Sequence, residues 1–227
     1  MQPCNCNFGI CGKTLHECYP HILRGKVRQI YNPVVFCEKS ENAQMEGFPY
    51  ILSVNAHRKN KNLITLLKAY RKIADKISQK LVLTGIKING GENLEEYVKT
   101  YGLEDRVIMA GFVPDAQLAW LYEHADLFVT PSLYEGFGMT PVEAMGYGCP
   151  VISSKDTSLY EVTKGLAVYY EPSADKNALA ETMLAVLEGR VPVNREYNRK
   201  TMRKAYDYRH ISKLYYNFFL EEAGIKE

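Results

Sequence analysis

The 227 residues carry 46% hydrophobic and 24% charged side chains with a formal net charge of +2, a mixture that suits one large or two small globular domains with a sizeable core. A pI near 8.1 and the lack of any long lysine or arginine run give no basic field, so nucleic acid is not expected as a partner. No apolar stretch approaches the roughly 20 residues of a membrane-spanning helix, and the start, MQPCNCNFGICGK, lacks the charged and apolar segments of a secretory signal; a soluble, cytoplasmic domain is expected.

Taken in chain order, the first feature is a crowd of Cys4, Cys6, Cys11 and Cys18 at spacings of two, five and seven residues. This is not the paired C-x-x-C of a structural zinc site, so reduced thiols and no metal are expected. Residues 25–35 (GKVRQIYNPVV) read as a short strand leading to a turn at Asn32 and Pro33. From residue 50 onward, short apolar runs alternate with longer amphipathic ones. Strands are predicted over 50–56, 80–86, 106–112, 125–132 and 150–154, with a sixth over 166–172. Helices are predicted between them over 62–77, 93–101, 115–124 and 140–147. In the first of these, Leu63, Leu66, Leu67, Tyr70 and Ile73 recur every three or four residues and mark one buried face. Cys149, just before Pro150 and an apolar strand, is expected in packing. After Pro172 the pattern is helical over 175–188, 194–208 and 210–222, with Asp175 and Asn194 as caps.

Strand runs that are apolar throughout, rather than alternating, belong to parallel strands covered on both faces. Joined by helices, they imply an α/β fold with a doubly wound, mostly parallel sheet and extra C-terminal helices. In such sheets ligands lie beyond the carboxyl ends of the strands, which directs attention to the loops after Ala56, Ile86, Phe112 and Ser132.

The loop after the fourth strand carries the strongest motif, YEGFGMTPVEAMGYGCPVI over 134–152. Gly136 and Gly138 allow a ligand close to the backbone, and Thr140 with Pro141 marks a helix start. A row of free N–H groups at the positive end of a helix dipole suits a phosphate. Glu135 and Glu143 flank that row; carboxylates do not suit phosphate but accept bonds from sugar hydroxyls, so a ligand with both parts, a nucleotide sugar, fits. The plainer reading makes Glu135 a helix cap and Glu143 a solvated helix residue.

These residues resemble the retaining glycosyltransferases with two facing Rossmann-like domains, the GT-B fold, and in particular their family-4 group. That family carries a Glu, seven residues, Glu motif, matched by Glu135 to Glu143, and the likeness continues through KNKNLITLLKAY, LVLTG and GLEDRVIMAGFVPDAQLAWLYEHADLFVTPSLYEGFG. The resemblance implies that Glu143 holds the ribose and Glu135 the donor sugar, with amides from Gly136, Phe137, Gly138, Met139 and Thr140 on sugar and diphosphate. Lys61 matches the lysine that neutralises the diphosphate. The companion arginine position is Ala56, and Arg58 or Lys59 would replace it from the same loop. Phe112 and Val113, in the loop GFVPD, would meet the base or else close the strand's core.

The implied division of the chain is a remnant of an N-terminal domain and link over 1–35, a nucleotide-sugar-binding Rossmann-like domain over 36–208, and a C-terminal crossover helix over 209–227. The implied reaction moves a sugar from a nucleoside diphosphate to an acceptor hydroxyl with retention. No metal or cofactor is called for, and no Asp-x-Asp is present. An acceptor glycan or lipid-linked sugar would be held by an N-terminal domain that is missing here, and the full enzyme would be cytoplasmic with room for peripheral membrane contact. The helix over 213–224 (KLYYNFFLEEAG) either packs ordinarily or exposes Tyr215, Phe218 and Phe219, which would favour a homo-oligomer. Two other readings stay open: a nucleotide-sugar-binding module inactive without a separate acceptor domain, and a nucleotide-sugar 2-epimerase of the same architecture.

Overall fold

The computed structural model describes residues 4–6, 27–156 and 158–225. Cys11 and Cys18, and the side chains of Cys4 and Cys6, lie outside the described residues, and so does the zinc question they raise. Two short strands, β1 (Cys4–Cys6) and β2 (Val27–Gln29), pair in parallel. The main sheet contains β3 (Tyr50–Val54), β4 (Lys80–Thr84), β5 (Val107–Gly111), β6 (Leu127–Thr130), β7 (Val151–Ser154) and β8 (Val168–Tyr170). Every neighbouring pair is parallel, in the order β5-β4-β3-β6-β7-β8. Counted from β3, this is the doubly wound order 3-2-1-4-5-6, whose direction of winding reverses between its first and fourth strands.

The crossovers are α1 (Leu63–Ile73), α2 (Leu94–Thr100), α3 (Asp115–His124), α4 (Met139–Gly146) and the short α5 (Leu159–Val162). Three helices close the chain: α6 (Lys176–Leu187), α7 (Arg195–Ala205) and α8 (Tyr208–Ala223). Asp175 accepts the Asn177 and Ala178 amides, and Asn194 that of Tyr197, as the capping pattern required. The sequence reading contained no helix at α5.

Side chains of successive strand residues go to opposite faces, and both faces are covered. Ile51, Leu81, Leu83, Leu127, Val129 and Ile152 pack with α1 and α6. Tyr50, Leu52, Val82, Phe128 and Val151 pack with α3, α4 and α7. The anticipated face of α1 is fully buried. Cys149 is buried too, and burial pushes its thiol far above the usual range, which suits packing and not nucleophilic chemistry. The tail behaves differently from the exposed alternative: Phe218 is buried with Ile30 and Ile211, Tyr215 packs against them, and Phe219 remains 61% exposed. Residues next to β2 supply the surface that covers this helix. No helix among the described residues is long and apolar enough to cross a membrane.

Candidate functional site

At the point where the sheet reverses, three consecutive residues after β3 are stitched to the loop after β6. They lie at the end of a 3-10 turn, Lys59–Lys61, and the start of α1. Asn60 donates from Nδ2 to the Tyr134 carbonyl (3.1 Å), and its own carbonyl accepts the Leu133 amide (2.8 Å). Lys61 Nζ donates to both carboxylate oxygens of Glu135, at 2.6 and 2.8 Å. Asn62, with φ of 55°, occupies the left-handed region that asparagine tolerates, and donates to the carbonyls of Pro131 (3.1 Å) and Ser173 (3.0 Å). Glu92 accepts the Leu63 amide (3.2 Å), placing a carboxylate at the positive end of α1.

Above this seam opens a cleft of about 610 Å³ whose walls include Ala56, Arg58, Lys61, Glu135, Gly136 and Thr140. Gly138, at φ 95°, is the N-cap of α4, and no side chain among the described residues caps that helix. The first amides of a helix lack partners within it, so the 135–140 turn presents donors at the positive end of the helix dipole. A Cβ on Gly138 would meet Leu159 at 2.8 Å, whereas one on Gly136 would meet nothing within 4 Å. The turn is braced from beneath: Ser158 Oγ donates to the carbonyls of Phe137 (2.8 Å) and Glu135 (3.1 Å). The ring of Phe137 is buried, 6.2 Å from that of Tyr31 and 5.8 Å from that of Tyr206. Phe137 thus faces the core with its side chain, and only its backbone is available to a ligand.

Glu143 lies one helical turn beyond Thr140, on the same face of α4. It lines a smaller hollow of about 160 Å³ with Val35, Cys37, Asp115, Leu118, Tyr122 and Tyr147 among its walls. Tyr122 Oη donates to Glu143 Oε2 at 2.9 Å. Burial raises the Glu143 pKa above the usual carboxylate range and nearby Asp115 adds to that, while the Tyr122 hydrogen bond works the other way. A carboxylate in that state gains from additional hydrogen-bond donors.

The structure brings Lys61, Glu135, Gly136, Arg58 and Thr140 to one cleft, with the Gly138 turn beneath it and Glu143 along the same helix. Arg58 is exposed there. Met139 packs partly into the core. Phe112 is 77% exposed at the end of β5, so it is no part of the strand's core, while Val113 packs partly against the core. The helix of the motif begins at Met139, one residue before Thr140. Sequence reasoning missed Asn60, Asn62, Tyr122 and Ser158; the first two stood in view as the asparagines flanking Lys61, but nothing local announced the other two.

The family model described as "Glycosyl transferases group 1" matches residues 37–207. The chain is 34% identical over 141 residues to O-antigen chain mannosyltransferase B of Escherichia coli, covering 61% of this chain and 37% of that protein. It is 29% identical over 192 residues to mannosylfructose-phosphate synthase of Agrobacterium fabrum, covering 78% and 41%. The chain therefore spans about two fifths of the length of these relatives. In fold it is similar to a glycosyltransferase from Rickettsia africae (TM-score 0.84, 18% identity, 98% of this chain and 64% of that one). It is likewise similar to sucrose-phosphate synthase from Thermosynechococcus elongatus (TM-score 0.78, 24% identity, 96% and 58%). With the family matched over most of its length and the doubly wound sheet in place, the chain belongs to the group 1 glycosyl transferases and forms a GT-B-type, Rossmann-like domain.

Proposed function

We propose that this domain is the donor half of a retaining glycosyltransferase: it binds a nucleoside diphosphate sugar, and a separate N-terminal domain presents the acceptor hydroxyl. The observation that carries the reading is the Lys61–Glu135 pair across the reversal point of the sheet, set at the mouth of a helix whose first amides no side chain among the described residues caps. Doubly wound sheets bind their ligands at that point. In the ligand-free pair each charge neutralises the other. A diphosphate offers the Lys61 ammonium, with its three donors, a second acceptor, while Glu135 turns its lone pairs to hydroxyls of the sugar. Arg58 supplies a further cation from the same loop, the 136–140 amides complete the phosphate cradle, and Glu143 accepts from the ribose. Phe112 and Val113 border the base.

Cleaving the sugar–phosphate bond leaves negative charge on the departing phosphate oxygen. Lys61 and the amides meet that charge where it grows, so they stabilise the transition state more than the bound donor. The acceptor oxygen then bonds to the anomeric carbon on the face the phosphate left, and the acceptor proton departs with the nucleoside diphosphate.

Calorimetry with GDP, UDP and their sugars tests the site. Binding that is lost in Lys61→Ala and weakened in Glu143→Ala is the expected result, and unchanged affinity in both variants removes the assignment. Assay of sugar transfer and donor hydrolysis by the 227-residue chain then separates a self-sufficient enzyme from a module that holds the donor without turnover.

A further inference from the structure

A second concentration of positive charge lies on the flank of the domain, away from the cleft just described. Lys68, Arg71 and Lys72 of α1, Lys176 at the start of α6, Tyr97 of α2 and Tyr101 just after it line a hollow of about 390 Å³. Elsewhere on this surface several exposed cations are paired with carboxylates: Arg28 with Glu221, Lys87 with Glu95, Lys155 with Glu171, Arg190 with Glu188 and Lys200 with Glu196. Among the described residues, none of the four cations of the hollow makes such a pair. The acids on its borders are engaged: Glu92, whose carboxylate feels Lys68, accepts the Leu63 amide, and Asp175 caps α6. Lys68, Arg71 and Lys72 also stand three and four residues apart on one helix, a spacing at which like charges repel.

The hollow is more than a solvated basic face. The Arg71 guanidinium lies 4.3 Å over the ring of Tyr101, and that ring lies 4.2 Å from the ring of Tyr97. A guanidinium resting over an aromatic ring has less freedom left to lose on binding, and its planar fork matches two oxygens of a phosphate. Lys68, Lys72 and Lys176 add three flexible donors around it, and the two phenols add hydroxyls.

We propose that this hollow binds a phosphate-bearing ligand, either a free phosphorylated molecule or a phospholipid headgroup, at a site distinct from the cleft at Lys61 and Glu135. Its charge and its stacked arginine call for an oxyanion of two or more negative charges, or for several headgroups at once.

Inorganic pyrophosphate titrated calorimetrically into the chain at low ionic strength probes the free form. Co-sedimentation with phosphatidylcholine vesicles containing about a third phosphatidylglycerol probes the lipid form. Both are measured on the wild-type chain, on Arg71→Ala with Lys72→Ala, and on Lys204→Ala with Lys213→Ala, which removes two exposed cations elsewhere. Because pyrophosphate also suits the main cleft, the series is repeated in a Lys61→Ala background. Should that variant not fold, loss of one of two binding events in the wild-type background decides instead. The expected result is that Arg71→Ala with Lys72→Ala weakens pyrophosphate or vesicle binding by about tenfold or more and leaves nucleoside diphosphate binding at the cleft intact. Whichever probe responds names the source of the phosphate. No response from either probe, or an equal loss in the Lys204 and Lys213 control, overturns the site.

Discussion

The two glutamates of one motif, eight positions apart, live under opposite physical conditions. Glu135 stands in the wider cleft with a cation on both of its oxygens. Glu143 sits in the narrower hollow, where the Tyr122 hydroxyl donates to it and a second acid, Asp115, lies nearby. The first is neutralised in place; the second is ionised only against its surroundings. A ligand of mixed character, anionic at one end and rich in hydroxyls at the other, would answer both conditions at once.

Breaking the Lys61–Glu135 side of the contrast has the largest expected effect. Lys61→Ala strips a diphosphate of a charge-assisted donor, which costs about 2–3 kcal/mol in nucleotide affinity, read by calorimetry. The same variant leaves a nearly buried carboxylate without its lysine, so its melting temperature falls. Lys61→Met combined with Glu135→Leu recovers much of that fall without recovering affinity. Next comes the turn between the two glutamates. Gly138→Ala forces a side chain into left-handed backbone and against Leu159, costing about 1–2 kcal/mol in denaturant unfolding. Gly136→Ala, open on that side, stays within about 0.5 kcal/mol yet weakens nucleotide binding because its methyl enters the cleft.

On the Glu143 side, Tyr122→Phe removes the one contact that favours the ionised carboxylate and costs about 1 kcal/mol at neutral pH. It also raises the Glu143 pKa further, visible in side-chain carboxyl NMR titration. The smallest effect has a sign that depends on pH. The folded state raises the Glu143 pKa, so the stability this group contributes is present below its unfolded pKa and is lost as pH rises through the folded value. Glu143→Gln then melts higher than wild type near neutral pH, with the difference shrinking in acid, while its nucleotide-sugar affinity drops. A variant less stable than wild type at neutral pH contradicts this account of the hollow.

Much of the fold was legible because its signals are local. The strands were continuous apolar runs, the α1 face repeated every three or four residues, and Asp175 and Asn194 stood directly before their helices. The motif turn was equally visible in its glycines. What the sequence did not disclose depends on contacts between distant segments. Nothing near Tyr122 indicates that its hydroxyl meets Glu143 across α3 and α4, and nothing near Ser158 indicates that it supports carbonyls twenty or so positions earlier. Four residues of α5 are too few for a periodic pattern to declare itself. Phe137 was read as part of the ligand cradle for its backbone, and its side chain turns out to be core, since a residue in a turn gives no local clue to which way its ring is sent.

That buried ring has a mechanical meaning. Phe137 sits at the centre of the motif turn, and its ring forms a three-way cluster with those of Tyr31, from the segment leading into the domain, and Tyr206, just after α7. The Tyr31 hydroxyl is itself tied to Glu161 of α5. The segment after β2 and the motif turn thus share one aromatic cluster. Residues 175 positions apart in sequence, before the first strand of the main sheet and after α7, thereby pack against the same motif turn.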